Sequence, residues 1–392
     1  MKKNYLWIAA AAVMFAACSS NDTFKDVDVQ ETPIAFTSYA QPTTKATENN
    51  DGAYSWNLED HHTSFDVWGY RKKSDTYQWV FTKQNVTYSS STWSYTPVRY
   101  WDKTQDSYTF FAAAPDHTNW NISNGALPAD QKLSYAGLTL SDHDATTADA
   151  TASADNYVES FSTAAPGKDL MIAAPCTTSD YANPVNLQFI HILSRLNVIV
   201  QRGNKLNAND VVNITSFQVC GFLPTGDFDE SLHAADNQDG TMSRWKDQTG
   251  TKINYTSSTA IIDPSTPTSL TVTNDGTSNT KKQYILQSLV IPQNVTYQDI
   301  AWNVDPANIN QAYIHITYTI SNTNWPADSQ TESYEGYYNL AKALGADGTT
   351  TTTKGFYEGW QNNLTLKINP ALIEFDPTVS TWGTKDYEFE IN

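Results

Sequence analysis

Along most of this chain apolar residues recur at every second position, in short runs separated by clusters of Gly, Asn, Asp, Pro, Ser and Thr. Alternation at period two sets one apolar row along one side of an extended segment, so such runs bury a face only as strands. The pattern predicts an all-β protein. Strands are expected over 34–39, 64–70, 78–82, 108–113, 196–201, 285–291, 313–320 and 363–368. The intervening clusters supply the backbone geometries that end strands and turn the chain. Short helices are expected only over 337–344, between Gly336 and Gly345, and over 130–135. The tract 141–155, rich in Ala, Thr, Ser and Asp, lacks the apolar residues of a core and reads as a surface loop. With 392 residues the chain is long enough for two ordinary domains. A composition break at 180–184, ahead of a strongly apolar run, puts the expected boundary between a domain over 46–183 and one over 184–392.

The first residues form a separate layer of information. Lys2 and Lys3 precede an apolar run from Leu6 to Ala17 that stops at Cys18, the layout of a secretion signal over 1–17 and too short to span a bilayer. Phe15-Ala16-Ala17-Cys18 looks like a bacterial lipobox, with Phe15 where Leu is usual. The small residues admit the peptidase, and the Cys18 thiol takes the diacylglycerol. Residues 18–45 are then expected to form a lipidated leader, beginning with a polar tether; the alternative is an ordinary signal peptide with an incidental cysteine.

Charge and residue chemistry exclude several function classes. A net charge of −18 opposes nucleic-acid binding, which needs clustered Lys and Arg on phosphates. Cys176 and Cys220 remain after Cys18; they could pair outside the cytoplasm but have neither metal spacing nor a disulfide framework. Glu59-Asp60-His61-His62 and Asp142-His143-Asp144 offer metal-binding chemistry, but neighbours on a strand point to opposite faces, and solvated loops are the expected reading. His191, inside an apolar run, reads as a core histidine hydrogen-bonded to backbone. No nucleophile elbow, phosphate loop or dinucleotide fingerprint is present, so no enzyme and no cofactor is expected. Trp79, Trp93, Trp101 and Trp120, of twelve tryptophans, could stack on sugars, although packing inside a β-sandwich is the commoner use.

Several segments in order resemble the fimbrillin family, FimA-like and Mfa-like, of Bacteroidetes type V fimbriae. They are the lipobox, Pro33-Ile34-Ala35-Phe36, Thr44-Lys45-Ala46-Thr47, Phe65-Asp66-Val67-Trp68-Gly69-Tyr70 and Arg99-Tyr100-Trp101. Tyr108-Thr109-Phe110-Phe111-Ala112, Asp169-Leu170-Met171-Ile172-Ala173, His191-Ile192-Leu193-Ser194-Arg195-Leu196, Asn363-Leu364-Thr365-Leu366 and Phe375-Asp376-Pro377 continue it. The resemblance implies two tandem transthyretin-like β-sandwich domains behind a lipoprotein signal peptide. It also implies a cell-surface fimbrial subunit, anchored in the outer membrane through lipid on Cys18, whose partners are other fimbrial subunits and a surface ligand met in adhesion. A protease removes the leader with its first strand, here carrying Ile34 and Phe36, and a strand from the next subunit fills the groove. The implied cut is Lys45–Ala46, where the family usually has Arg. At the other end Tyr387, Phe389 and Ile391 alternate with polar residues, so this segment either donates itself or closes the chain's own sheet. A second class stays open: an outer-membrane lipoprotein that binds glycans through exposed aromatics and does not polymerise.

Overall fold

The computed structural model describes residues 32–40, 58–60, 62–123, 127, 131–140, 145–146, 169–232, 244–256, 270–272, 282–301, 304–370 and 372–381. Cys18, Lys45, Ala46, Asp142 to Asp144, Tyr387, Phe389 and Ile391 lie outside them. The described chain is nearly all β, as its alternation demands, and each expected strand has a counterpart. Ser64–Lys73, Thr76–Ser89, Ser107–Ala114, Ser194–Arg202, Lys282–Val290, Tyr313–Ser321 and Trp360–Asn369 are longer than expected, and the first strand is Phe36–Ala40. Tyr313–Ser321 keeps strict alternation, burying Ile314, Ile316, Tyr318 and Ile320 and leaving the residues between them half-buried.

The expected helices need correction. Residues 132–139 form a strand, Lys132–Thr139, because Leu133 and Tyr135 are buried on one side and its backbone pairs on both edges. Of 337–344 only Leu340–Ala343 is helical, capped by the Asn339 side chain accepting from the Lys342 amide. Tyr337 and Tyr338 end the strand Thr331–Asn339, laddered along Tyr313–Ser321.

A seven-stranded sheet orders Phe36–Ala40, Val185–His191, Met171–Thr178, Ser107–Ala114, Ser64–Lys73, Thr76–Ser89 and Thr92–Ser94. It curls until its ends meet, for Pro33, just before the first strand, bridges Tyr100, just after the last. The curl encloses an aromatic core of Phe65, Phe81, Phe110, Phe189 and their neighbours. Further on, Ser194–Arg202 sits between Lys282–Val290 and Trp360–Asn369, and the latter pairs with Leu372–Thr381. A facing sheet carries Ile253–Thr256, Val211–Phe222, Tyr313–Ser321 and Thr331–Asn339, and the two bury Val198, Val200, Leu364 and Leu366 against Ile214, Phe217, Ile314 and Ile316. Val185–His191, just past the expected boundary at 183, belongs to the curled sheet; the chain changes sheet at Ile192 and Leu193.

A four-stranded sheet joins the halves: Trp120–Ser123 pairs with Lys132–Thr139, which pairs with Thr225–Asp229, which pairs in turn with Trp245–Thr249. It packs Trp120, Tyr135, Phe228 and Trp245 on the outer face of the curled sheet, against Trp68, Tyr70 and Phe111. That sheet is therefore apolar on both faces, which explains the nearly continuous burial along Ser64–Lys73 and Ser107–Ala114.

Candidate functional site

The first described strand forms one stave at the edge of the curled sheet. Phe36–Ala40 runs parallel to Val185–His191, with Phe36 opposite Val185 and Ala40 opposite Phe189, and the Ala35 carbonyl accepts from the Val185 amide at 2.8 Å. Its side chains go where alternation sends them. Ile34 and Phe36 are buried, while Ala35 and Thr37 are exposed. The Phe36 ring sits 5.7 Å from those of Phe81, Tyr95 and Phe110 and 6.1 Å from Phe65, edge-on or tilted, the arrangement aromatic quadrupoles favour. Burying one such ring is worth about 2–3 kcal/mol. Val185, Leu187 and Phe189 line the same core.

On the stave's other side lies the segment from Tyr95 to Trp101. The Ile34 amide donates to the Arg99 carbonyl at 2.8 Å, and the Trp101 amide donates to the Thr32 carbonyl at 3.0 Å. The Tyr95 hydroxyl donates to the Ile34 carbonyl at 2.7 Å. Burial pushes the Tyr95 phenol above its ordinary value, which keeps it a donor. Farther along, Ser38 donates to the Glu59 carboxylate at 3.4 Å. An open cavity of about 560 Å3 lies at the mouth of the groove, between Thr32, Pro33, Lys103 and the turn Ser179 to Ala182.

His191 is buried, and its Nδ1 stands 2.9 Å from an Asp169 carboxylate oxygen. His62 is buried behind the short turn Leu58–Asp60, whose Leu58 carbonyl takes its amide. Among the described residues no three His, Cys, Asp or Glu side chains converge as a metal site would require. Cys176 and Cys220 are both thiols, one in the curled sheet and one in Val211–Phe222, and burial pushes Cys220 up to about 11. Of the four tryptophans Trp120 and Trp101 are buried, while Trp93, against Phe65 and Tyr88, and Trp79, against Tyr70, are half-buried. The spacing of Ile34 and Phe36 shows in the sequence that they share one face, which the structure buries, but nothing in it pointed to Tyr95. The turn pair Thr96-Pro97 marks where the chain doubles back, but not what it doubles back onto.

Residues 44–382 match the family described as Fimbrillin-like. A curated relative, the fimbrium subunit Fim1C of Phocaeicola vulgatus, is 27% identical over 142 residues, which is 35% of this chain and 36% of that one. The chain thus matches about a third of that relative's length. Among solved structures, a putative cell adhesion protein from Bacteroides uniformis aligns over 90% of this chain and 100% of its own, with 12% identity and a TM-score of 0.44. A fimbrial protein from Bacteroides vulgatus aligns over 89% and 99%, with 16% identity and a TM-score of 0.44. The C-terminally truncated tip fimbrial protein Mfa3 of Porphyromonas gingivalis aligns over 89% and 100%, with 10% identity and a TM-score of 0.36.

Proposed function

The chain belongs to the fimbrillin-like family, and from that premise we propose that it is a structural subunit of a cell-surface fimbria, joined to its neighbour by strand replacement and serving adhesion. The observation that carries this reading is the stave: Phe36–Ala40 fills an aromatic groove, has one laddered edge, and is followed by a polar stretch. Removing such a strand opens unpaired backbone and an apolar trough, which together recruit another strand. On this reading Cys18 carries the lipid that brings the precursor to the outer membrane, and the cut falls at Lys45–Ala46. Tyr387, Phe389 and Ile391 are the apolar row of the strand donated to the next subunit. The role is structural rather than catalytic, and its partners are other fimbrial subunits and a surface ligand.

The test is native protein recovered from the cell surface, weighed intact and imaged. A mass beginning at Ala46, with filaments or detergent-resistant ladders, is expected. A full acylated chain from Cys18, present only as monomer, would refute strand replacement. A variant lacking 382–392 should fold but form no polymer; unchanged polymer would remove that segment as donor.

A further inference from the structure

The stave must leave and a different strand must take its place, so the groove has to grip two unrelated sequences. The contacts on its far side are of the kind that allows this. Among the described residues the three hydrogen bonds between the stave and the 95–101 segment use the stave's main chain: the Ile34 amide, the Ile34 carbonyl and the Thr32 carbonyl. Main-chain bonds are available in any strand, whereas the pockets holding Ile34 and Phe36 read side chains.

The 95–101 segment also carries its own replacement bond. The Arg99 amide lies 3.3 Å from the Tyr95 hydroxyl oxygen, which accepts it while donating to Ile34. The same hydroxyl stands 3.4 Å from the Arg99 carbonyl, which now receives the Ile34 amide. If the stave departs, hydroxyl and carbonyl each lose a partner in one step, and each is within reach of the other.

We propose that the 95–101 segment is a strap, a second rail of the groove, that grips the main chain of any strand seated there and closes on itself through Tyr95 and Arg99 when the groove is empty. Its partner rests on the strand-replacement reading: the stave in the precursor, and a strand of the neighbouring subunit in the assembled form. Tyr95 is a positioning residue, acting through its hydroxyl, while its ring belongs to the core beside Phe36 and Phe81.

The experiment uses the full chain with one engineered protease site within 44–50, cut so that the leader is held only by non-covalent contacts. Labelled peptides of residues 32–40 are exchanged into the groove and their release is timed. Replacing the peptide's Pro33–Ile34 amide by an ester removes the donor to Arg99 and leaves every side chain in place. Loss of one such bond, about 1.4 kcal/mol, should speed release roughly tenfold. Tyr95→Phe should speed release of the unmodified peptide several-fold, and should raise hydrogen exchange at the Trp101 amide while leaving the Met171–Thr178 strand unchanged. Release of the ester peptide at the unmodified rate would overturn the strap. Because the peptide is the chain's own leader, absence of polymer would sink strand replacement and leave this result standing. Normal polymer with indifferent ester release would sink the strap alone.

Discussion

Among the described residues two strand pairs far apart in sequence run parallel, and they differ in one respect. Phe36–Ala40 lies along Val185–His191, and Trp360–Asn369 lies along Ser194–Arg202. Trp360–Asn369 is laddered on both edges, since Leu372–Thr381 runs antiparallel along its other side from Trp360 opposite Thr381 to Asn369 opposite Leu372. The first strand is laddered on one edge, and its far side meets the 95–101 segment at Pro33, Ile34 and the Thr32 carbonyl. Removing Trp360–Asn369 would divide its sheet in two, while removing Phe36–Ala40 leaves the six remaining strands in register. The two strands therefore differ in how many edges they engage and hardly at all in burial. Ile34 and Phe36, at 1% and 5% exposure, are nearly as fully covered as Leu364 and Leu366, both at 0%.

Phe36→Ala should have the largest effect on this contrast. It should weaken docking of the stave by about 4 kcal/mol, seen as rapid hydrogen exchange over 32–40, with denaturant unfolding of the 194–381 half unchanged. A shift of both halves together would break the contrast. Leu366→Ala, at a matched depth in the doubly laddered strand, should cost about 3 kcal/mol and lower the urea midpoint of the whole 194–381 half. Local exchange confined to 360–369 would contradict that expectation.

A third substitution probes the joint between the regions. Arg244 pairs with Glu358, and both side chains are largely covered. Burial holds the Glu358 carboxyl above its ordinary value, and Arg244 opposes that shift. A carboxyl raised in the fold stabilises it in acid, and that contribution fades as pH climbs from the unfolded value through the folded one. Arg244→Met should raise Glu358 further and cost about 2 kcal/mol at pH 7, with part of the loss regained near pH 5. Urea melts at the two pH values check this, and an equal loss at both would remove Glu358 from the explanation. The smallest effect is kinetic: with its thiol pushed up to about 11, Cys220 should resist alkylation at pH 8 until the 194–381 half unfolds. Prompt labelling of the folded chain would show that half to be looser than its burial implies.

The strands and the apolar rows were legible because alternation is a local signal: Ile34 with Phe36, and Ile314 with Ile316, announce their faces within a few residues. Partners were not legible. Nothing near Phe36 points to Val185, and the composition break at 180–184 marked the turn before Val185–His191 and not the change of sheet after it. Tyr337 and Tyr338 resembled a helix start because the residues after them do form a turn of helix, yet the ladder to Tyr313–Ser321 decides their conformation. Asp169, the partner of His191, lies 22 residues upstream, a separation set by the path of the curled sheet.

The four-stranded sheet shared by the two halves gives the molecule a load path. If subunits join by the strand replacement proposed above, tension in a string of them would enter through the strand seated in the groove beside Val185–His191 and leave through the far half. The covalent crossing at Ile192 and Leu193 need not carry it alone: the ladders between Lys132–Thr139 and Thr225–Asp229, the Trp245 bond to the Ile192 carbonyl and the Gly359 bond to the Leu193 carbonyl lie beside it. A pull on such a subunit would meet a clasp before it met a hinge. Stretched filaments of this chain should therefore yield at the joints between subunits, with the body of each subunit holding its shape.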